Sequence, residues 1–161
     1  MKRISIILLA AVMLLSFVGC GADNSDLQEE NFFFTYNGTK ITLGAEVAPI
    51  IDALGEPKSY TEEPSCAFDG MDKTYYYGSF YLSTYPLDGK DYVYNLWFAD
   101  DGVATEESIR IGNSESQVEE AYGEDCFNGT NCYSLTRGQS RLTVLIENNM
   151  VSSVRYEVIL D

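Results

Sequence analysis

The chain contains nearly the same phrase twice, and this repeat constrains the fold more than any other feature of the sequence. ITLGAEVAPIIDALGEP occupies residues 41–57, and IRIGNSESQVEEAYGED occupies residues 109–125. Chance does not easily produce such a match, so the sequence predicts an internal duplication. Two short frames align at a constant offset, Ile-x-[Leu/Ile]-Gly at 41–44 and 109–112, and Gly-Glu at 55–56 and 123–124.

Each copy of the phrase has the pattern of a short strand, a tight turn and a helix of about nine residues, because its apolar residues recur at helical spacing. In the second copy, Ser114 and Gln117 have the spacing of a capping box at the start of a helix. Gly55 and Gly123 occupy the position where a left-handed glycine commonly ends a helix.

The remainder of each copy shows the alternation of apolar and polar residues that is typical of strands. In the second copy Leu142, Val144 and Ile146 alternate with more polar neighbours. The matching strands of the first copy are GSFYLSTY and DYVYNLWF, and Asn37-Gly38 predicts a hairpin turn before them. The sequence therefore predicts an α+β fold of two tandem helix-plus-antiparallel-sheet repeats, residues 32–105 and 106–161, forming one larger sheet with the helices on one face.

The paired Ile-x-[Leu/Ile]-Gly and Gly-Glu frames resemble those of the tandem-repeat β-lactamase inhibitor proteins and the related SmpA/OmlA-type (BamE-like) lipoproteins. This resemblance covers nearly all of the chain after residue 31 and implies their fold. Because one fold serves many functions, it does not imply β-lactamase inhibition. CAFDGMDKTYYYG and IRIG are also similar to segments of uncharacterised Clostridia-type lipoproteins, a resemblance that implies a Gram-positive plasma membrane.

The N-terminus has the pattern of an export signal. In residues 1–19, two basic residues precede the apolar stretch 6–15 and small residues follow. The adjoining FVGC resembles a lipobox, which predicts that Cys20 is acylated and begins the mature chain. Residues 20–31 would then form a flexible acidic tether. We expect a protein that its lipid anchors to the extracytoplasmic face of the cell membrane; the alternative is an ordinary secretory signal.

The net charge restricts the partners of this chain. The whole sequence has a formal net charge of −15, and without Lys2 and Arg3 of the signal segment it is −17. An acidic surface of this kind is repelled by nucleic acids and by anionic headgroups. We therefore expect no nucleic-acid partner and favour a cationic or neutral one, although acidity also serves solubility alone.

The chain has no histidine, which removes most of the usual catalytic sites. It rules out Ser-His-Asp and Cys-His nucleophile pairs, HExxH metal sites and imidazole bases. The segments FDGMDK at 68–73 and ADDG at 99–102 lack the oxygen spacing of an EF-hand and are interpreted as turns. We predict no catalytic residue, no metal and no cofactor.

Export also places the cysteines in an oxidising space, where pairing is permitted. Cys126 and Cys132 are close enough in sequence for a disulfide that would staple the loop after the second helix, leaving Cys66 unpaired. Other pairings stay open, because connectivity does not follow from spacing.

The first copy is rich in aromatic residues at positions that an antiparallel sheet sends away from its helices. Aligning the strands of the two copies places Tyr81, Tyr85 and Trp97 on the solvent side of the first copy. The matched positions of the second copy hold Arg141, Leu145 and Arg155. Clustered exposed aromatics mark recognition surfaces. The alternative is that the tether, the 58–73 loop or the other repeat covers them as ordinary core.

Together these features predict a non-catalytic, lipid-anchored binding or scaffold domain. Its open sheet face would engage an envelope protein or peptide, with Tyr81, Tyr85 and Trp97 as the binding residues. A cell-wall carbohydrate binder that stacks neutral glycan on these rings is the alternative. A carboxylate-dependent glycosidase is a third hypothesis, because paired acids alone can hydrolyse glycosides.

Overall fold

The computed structural model describes residues 30–160. Within this range the chain forms nine strands, two α-helices and one short 3₁₀-helix at Glu124–Cys126. The predicted signal segment, Cys20 and nearly all of the predicted tether lie outside the described residues. The helices are α1 (Ala48–Leu54) and α2 (Glu115–Tyr122). The strands are β1 (Phe33–Tyr36), β2 (Thr39–Thr42), β3 (Ser59–Pro64), β4 (Met71–Tyr76), β5 (Phe80–Leu87), β6 (Lys90–Phe98), β7 (Cys132–Arg137), β8 (Ser140–Glu147) and β9 (Met150–Val158).

Seven of these strands form one antiparallel sheet in the order β3-β4-β5-β6-β9-β8-β7. Strands β6 and β9 join at its centre, where Leu96 is the register partner of Tyr156 and Trp97 that of Arg155. The pair β5-β6 contains a register shift between Ser83 and Thr84, and the pair β8-β9 contains one between Leu145 and Ile146. Strands β1 and β2 form a separate two-stranded hairpin.

One face of the sheet carries the hydrophobic core. Alternate residues of β5 and β8 are buried, and Leu82 and Leu142 are both 0% exposed. The β1-β2 hairpin packs on this face, because the ring of Phe34 lies 5.1 Å from that of Phe80 and 5.3 Å from that of Phe98. Aromatic rings at these separations add to the stabilisation that their burial provides.

The two helices lie on the same buried face and are short. Helix α1 has seven residues and buries Ile50, and helix α2 has eight and buries Val118. Ser114 and Gln117 form the predicted capping box at the start of α2. Gly55 and Gly123 follow the helices with φ angles of 78° and 86°, which glycine adopts without steric cost.

The predicted α+β class, with two tandem helix-plus-antiparallel-sheet repeats, is wrong. The described chain is mostly β: the strands supply most of the core, and each helix contributes only one buried residue. The β1-β2 hairpin covers part of the sheet in place of longer helices. Strand β3, which the sequence placed in a loop, adds a seventh strand whose residues are all exposed. The long segments of alternating apolar residues, which form strands, therefore determine the fold class more than the two short helical patterns do.

Candidate binding surface on the open sheet face

The face of the sheet opposite the helices and the hairpin is here called the open face. In β5 it carries Tyr81, Ser83 and Tyr85, each of which is partly exposed, while the residues between them are buried. Tyr81, Tyr85 and Trp97, the three residues that the sequence selected, all belong to this face.

Three rings on neighbouring strands stack side by side across the open face. Tyr76 of β4, Tyr81 of β5 and Trp97 of β6 are register partners. The Tyr76 and Tyr81 ring centroids are 4.5 Å apart with an interplanar angle of 24°, and those of Tyr81 and Trp97 are 4.6 Å apart at 14°. We call Tyr76, Tyr81 and Trp97 the aromatic ladder.

Sequence reasoning did not select Tyr76. It belongs to the run Tyr75-Tyr76-Tyr77, and a strand sends neighbouring side chains to opposite faces. The structure shows which face each side chain occupies: Tyr75 and Tyr77 pack with the core, and Tyr76 belongs to the ladder. Only the pairing register of β4 with β5 could have identified it, and that register is not readable from the run itself.

Tyr85 does not belong to the ladder. The register pair Ser83 and Asn95 separates it from Tyr81 and Trp97. Its ring instead contacts a second aromatic group, with centroids 5.3 Å from Phe68, 5.7 Å from Tyr92 and 6.2 Å from Tyr94. Burial among these rings raises the pKa of the Tyr85 hydroxyl above its ordinary value of 10.0, and the nearby Tyr92 adds to the rise. The predicted trio is therefore divided between two places.

A cavity of about 170 Å³ lies beside Tyr85, where the loop of residues 65–70 meets the sheet. Asp72 is one of its lining residues, and the Oδ1 atom of this side chain is buried and receives no hydrogen bond from the described residues. The lining residues are Ser65, Cys66, Ala67, Phe68, Asp72, Tyr85, Tyr94 and Leu160.

The half of the open face formed by β9, β8 and β7 is polar. Arg141 Nη1 lies 3.5 Å from Glu157 Oε1, and both side chains are partly exposed. A concavity of about 230 Å³ on this half is lined by Thr143, Leu145, Ser153, Arg155 and Glu157. This half offers charges and hydroxyls where the other half offers rings.

The cysteines of the described chain are free thiols, so the predicted Cys126–Cys132 disulfide is not formed. Cys126 Sγ donates a hydrogen bond to the carbonyl of Tyr122 in α2, at 3.2 Å. Cys132 is the register partner of Leu145 and therefore lies on the open face, away from α2. The two side chains are directed to opposite sides of β7, which explains why closeness in sequence does not bring them together.

Within residues 30–160, no group of three or more Cys, Asp and Glu side chains is arranged to hold a metal ion. No helix in this range is long and apolar enough to cross a membrane.

No protein family matches the chain, and no curated protein matches it either. A similar solved structure is an extracellular protein containing a SCP domain from Bacillus anthracis str. Ames, with 14% identity and a TM-score of 0.44. The match covers 77% of this chain but only 47% of that protein's chain. The resemblance to the β-lactamase inhibitor proteins and BamE-like lipoproteins stays a prediction.

Proposed function

We propose that this chain is a lipid-anchored, extracytoplasmic, non-catalytic domain that binds an envelope protein or peptide through the aromatic ladder. The observation that carries the proposal is the stacking of Tyr76, Tyr81 and Trp97 on the sheet face that the core does not use. Large rings at such positions are not needed to bury the other face, so a role in recognition accounts for them better.

The ladder has the properties of a pre-organised contact surface. Each ring stacks on its neighbour, and the three stand on the adjacent strands β4, β5 and β6 of a seven-stranded sheet. Side chains that are already ordered lose little conformational entropy when a partner binds. Tyrosine and tryptophan also combine apolar area with a polar group, which is why they are enriched at protein interfaces.

The stacking geometry favours a protein or peptide over a glycan. A sugar binds an aromatic platform through the face of the ring, but Tyr76 and Trp97 cover the two faces of Tyr81. The central ring therefore offers its edge and its hydroxyl group, which suit the mixed polar and apolar surface of a polypeptide.

Anchoring through Cys20 is the second part of the proposal, and it has its own test. The Cys20→Ser variant should appear in the soluble fraction while the wild type sediments with membranes, and the circular dichroism of the two proteins should agree. Membrane attachment of Cys20→Ser at the wild-type level would overturn the lipid anchor without affecting the ladder.

Photo-crosslinking tests the binding surface directly. A benzophenone amino acid at position 97 should crosslink to one saturable envelope polypeptide, and the adduct should disappear when excess uncrosslinked wild-type protein competes. Asp52 is the matched control, because it is exposed on α1 on the other side of the molecule.

Equal crosslinking from positions 97 and 52, or none from position 97, would contradict the proposed function. A crosslink from position 97 that purified wall glycan competes away, and protein does not, would support the carbohydrate alternative instead.

A further inference from the structure

The cavity beside Tyr85 has the composition of a cation site. Three of its lining residues, Phe68, Tyr85 and Tyr94, are aromatic, and one, Asp72, is acidic. The rings do not lie parallel: Phe68 is inclined to Tyr85 by 37°, and Tyr94 is inclined to Tyr85 by 80°. Three aromatic rings at different inclinations therefore line one space, and aromatic rings attract cations that lie close to them.

Asp72 supplies a carboxylate that forms no ion pair with a Lys or Arg within residues 30–160. Its Oδ1 atom is buried without a hydrogen bond from the described residues, and no Lys or Arg lines the cavity. The adjacent Lys73 lies on the other face of β4, where its Nζ is 2.6 Å from Asp91 Oδ2. A carboxylate oxygen that is removed from water is stabilised by a cation that enters the same space.

The loop that covers the cavity is ordered by its own hydrogen bonds. The backbone N–H of Ser65 donates to the carbonyl of Gly70 at 3.0 Å, and Ser65 Oγ accepts from the backbone N–H of Phe68 at 3.3 Å. Gly70 has a φ of 138°, and a Cβ added there would lie 2.8 Å from Pro86 Cβ. Gly70 thus permits the loop to approach β5 closely and holds Phe68 over Tyr85.

We propose that this cavity binds an alkylammonium group, with the Asp72 carboxylate as counter-ion and Phe68, Tyr85 and Tyr94 around the cation. Its volume of about 170 Å³ is below the roughly 300–1,000 Å³ of pockets for drug-sized ligands, so it fits a head group rather than a large molecule. Leu160 adds an apolar wall. Aromatic rings combined with a carboxylate are the chemistry that recognises quaternary and primary ammonium ions.

This site is independent of the partner surface at the ladder. The Ser83 and Asn95 pair lies between them, and Tyr76, Tyr81 and Trp97 do not line the cavity. The ammonium group has two sources, a free small molecule or a lysine side chain of a peptide, and the choice of probe distinguishes them.

Calorimetric titration of the full-length chain in a non-ionic detergent, at constant ionic strength, tests the proposal. Choline chloride represents the free quaternary ion, and Nα-acetyl-lysine amide represents the peptide side chain. We expect saturable binding of at least one probe, and no binding of 3,3-dimethylbutan-1-ol, which has the shape of choline without its charge. Tighter binding of one probe identifies the source.

Variants assign the binding to these residues. Asp72→Asn should raise the dissociation constant of the probe roughly tenfold, as expected for loss of a desolvated counter-ion. Asp69→Asn is the matched control, because Asp69 is an exposed acid of the same loop that does not line the cavity; its affinity should equal that of the wild type. Tyr94→Leu should also weaken binding, whereas Tyr94→Phe, which keeps the ring face, should restore it.

Failure of both probes to bind, equal binding of the uncharged alcohol, or unchanged affinity in both Asp72→Asn and Tyr94→Leu would overturn the site. Circular dichroism of each variant shows whether it is folded. If Asp72→Asn does not fold, the comparison of Tyr94→Leu with Tyr94→Phe tests the site. The crosslinking outcome at position 97 is unaffected by any of these results.

Discussion

Along one row of the open face, the sheet changes from aromatic to polar side chains at its centre. The strands β4, β5 and β6 carry Tyr76, Tyr81 and Trp97, and the row continues on β9, β8 and β7 with Arg155, Thr143 and Ser134. The buried face shows no such change, because Leu82 and Leu96 in one half and Leu142 and Val154 in the other are all 0% exposed.

This contrast separates what folding requires from what it leaves free. Both halves of the buried face must exclude water, and the same kind of aliphatic residue serves both. The open face has no such requirement, so its two halves differ for another reason. We attribute the difference to a partner that contacts the aromatic half.

The largest expected effect is on the free energy of unfolding, which should respond to substitutions on the buried face and not to one on the open face. Leu82→Ala and Leu142→Ala should each lower the free energy of unfolding by about 2–5 kcal/mol, because each leaves a cavity in the core. Arg155→Ala, on the exposed polar half, should change it by no more than about 0.5 kcal/mol. Urea denaturation measures all three, and a cost for Arg155→Ala as large as that for Leu82→Ala would remove the distinction.

On the buried face, Tyr156 is expected to make the stability depend on pH. Burial raises the pKa of Tyr156 well above its ordinary value of 10.0, so the folded state keeps a proton that the unfolded state loses. Stability from this group is complete below pH 10 and falls as the pH rises above it.

Between pH 9 and pH 11, Tyr156→Phe should therefore lose less stability than the wild type does, by at most about 1.4 kcal/mol, the limit set by ionisation of tyrosine in the unfolded chain. Parallel urea titrations at the two pH values give the comparison. An identical loss in both proteins would show that the Tyr156 hydroxyl ionises as easily in the folded state as in the unfolded chain.

The smallest effects compare interactions within the open face. A double-mutant cycle on Tyr81 and Trp97 should give a coupling of about 0.5–1.5 kcal/mol that salt does not change. A cycle on Arg141 and Glu157, whose charged atoms are 3.5 Å apart, should give about 0.2–1 kcal/mol and decrease in 1 M salt. Equal salt sensitivity of the two couplings would contradict the division into an aromatic and an ionic half.

The sequence predicted individual turns, caps and strands better than it predicted the fold class. The capping box at Ser114 occurs as predicted, because it depends on a few adjacent residues. Gly55 and Gly123 end the helices with positive φ, but their ψ angles of −162° and 153° differ from those of the left-handed cap that the sequence predicted. The alternation in β5 and β8 correctly divided Leu82 and Leu142 from their outward neighbours. The predicted fold class was wrong because a helical pattern that occurs twice in the sequence does not show how few core residues each helix contributes.

The parts that could not be predicted depend on contacts between distant segments. Strand β3 has no apolar alternation, and only its pairing with β4 makes it a strand. The separation of Tyr85 from the ladder depends on the loop that brings Phe68 over it. Asp72 could not be connected with Tyr94, because the fold alone brings them to one cavity.

Trp97 is the only tryptophan of the chain, and acrylamide quenching of its fluorescence tests the central claim most directly. In the free full-length protein we expect Trp97 to be accessible to acrylamide, because it is partly exposed on the open face. The envelope protein fraction is prepared from cells grown with 4-fluorotryptophan, which is almost non-fluorescent, so that Trp97 supplies the indole emission. Adding this fraction should shield Trp97 saturably, and protease treatment of the fraction should abolish the shielding. Quenching that is the same with and without the fraction would show that the aromatic ladder is not the partner surface.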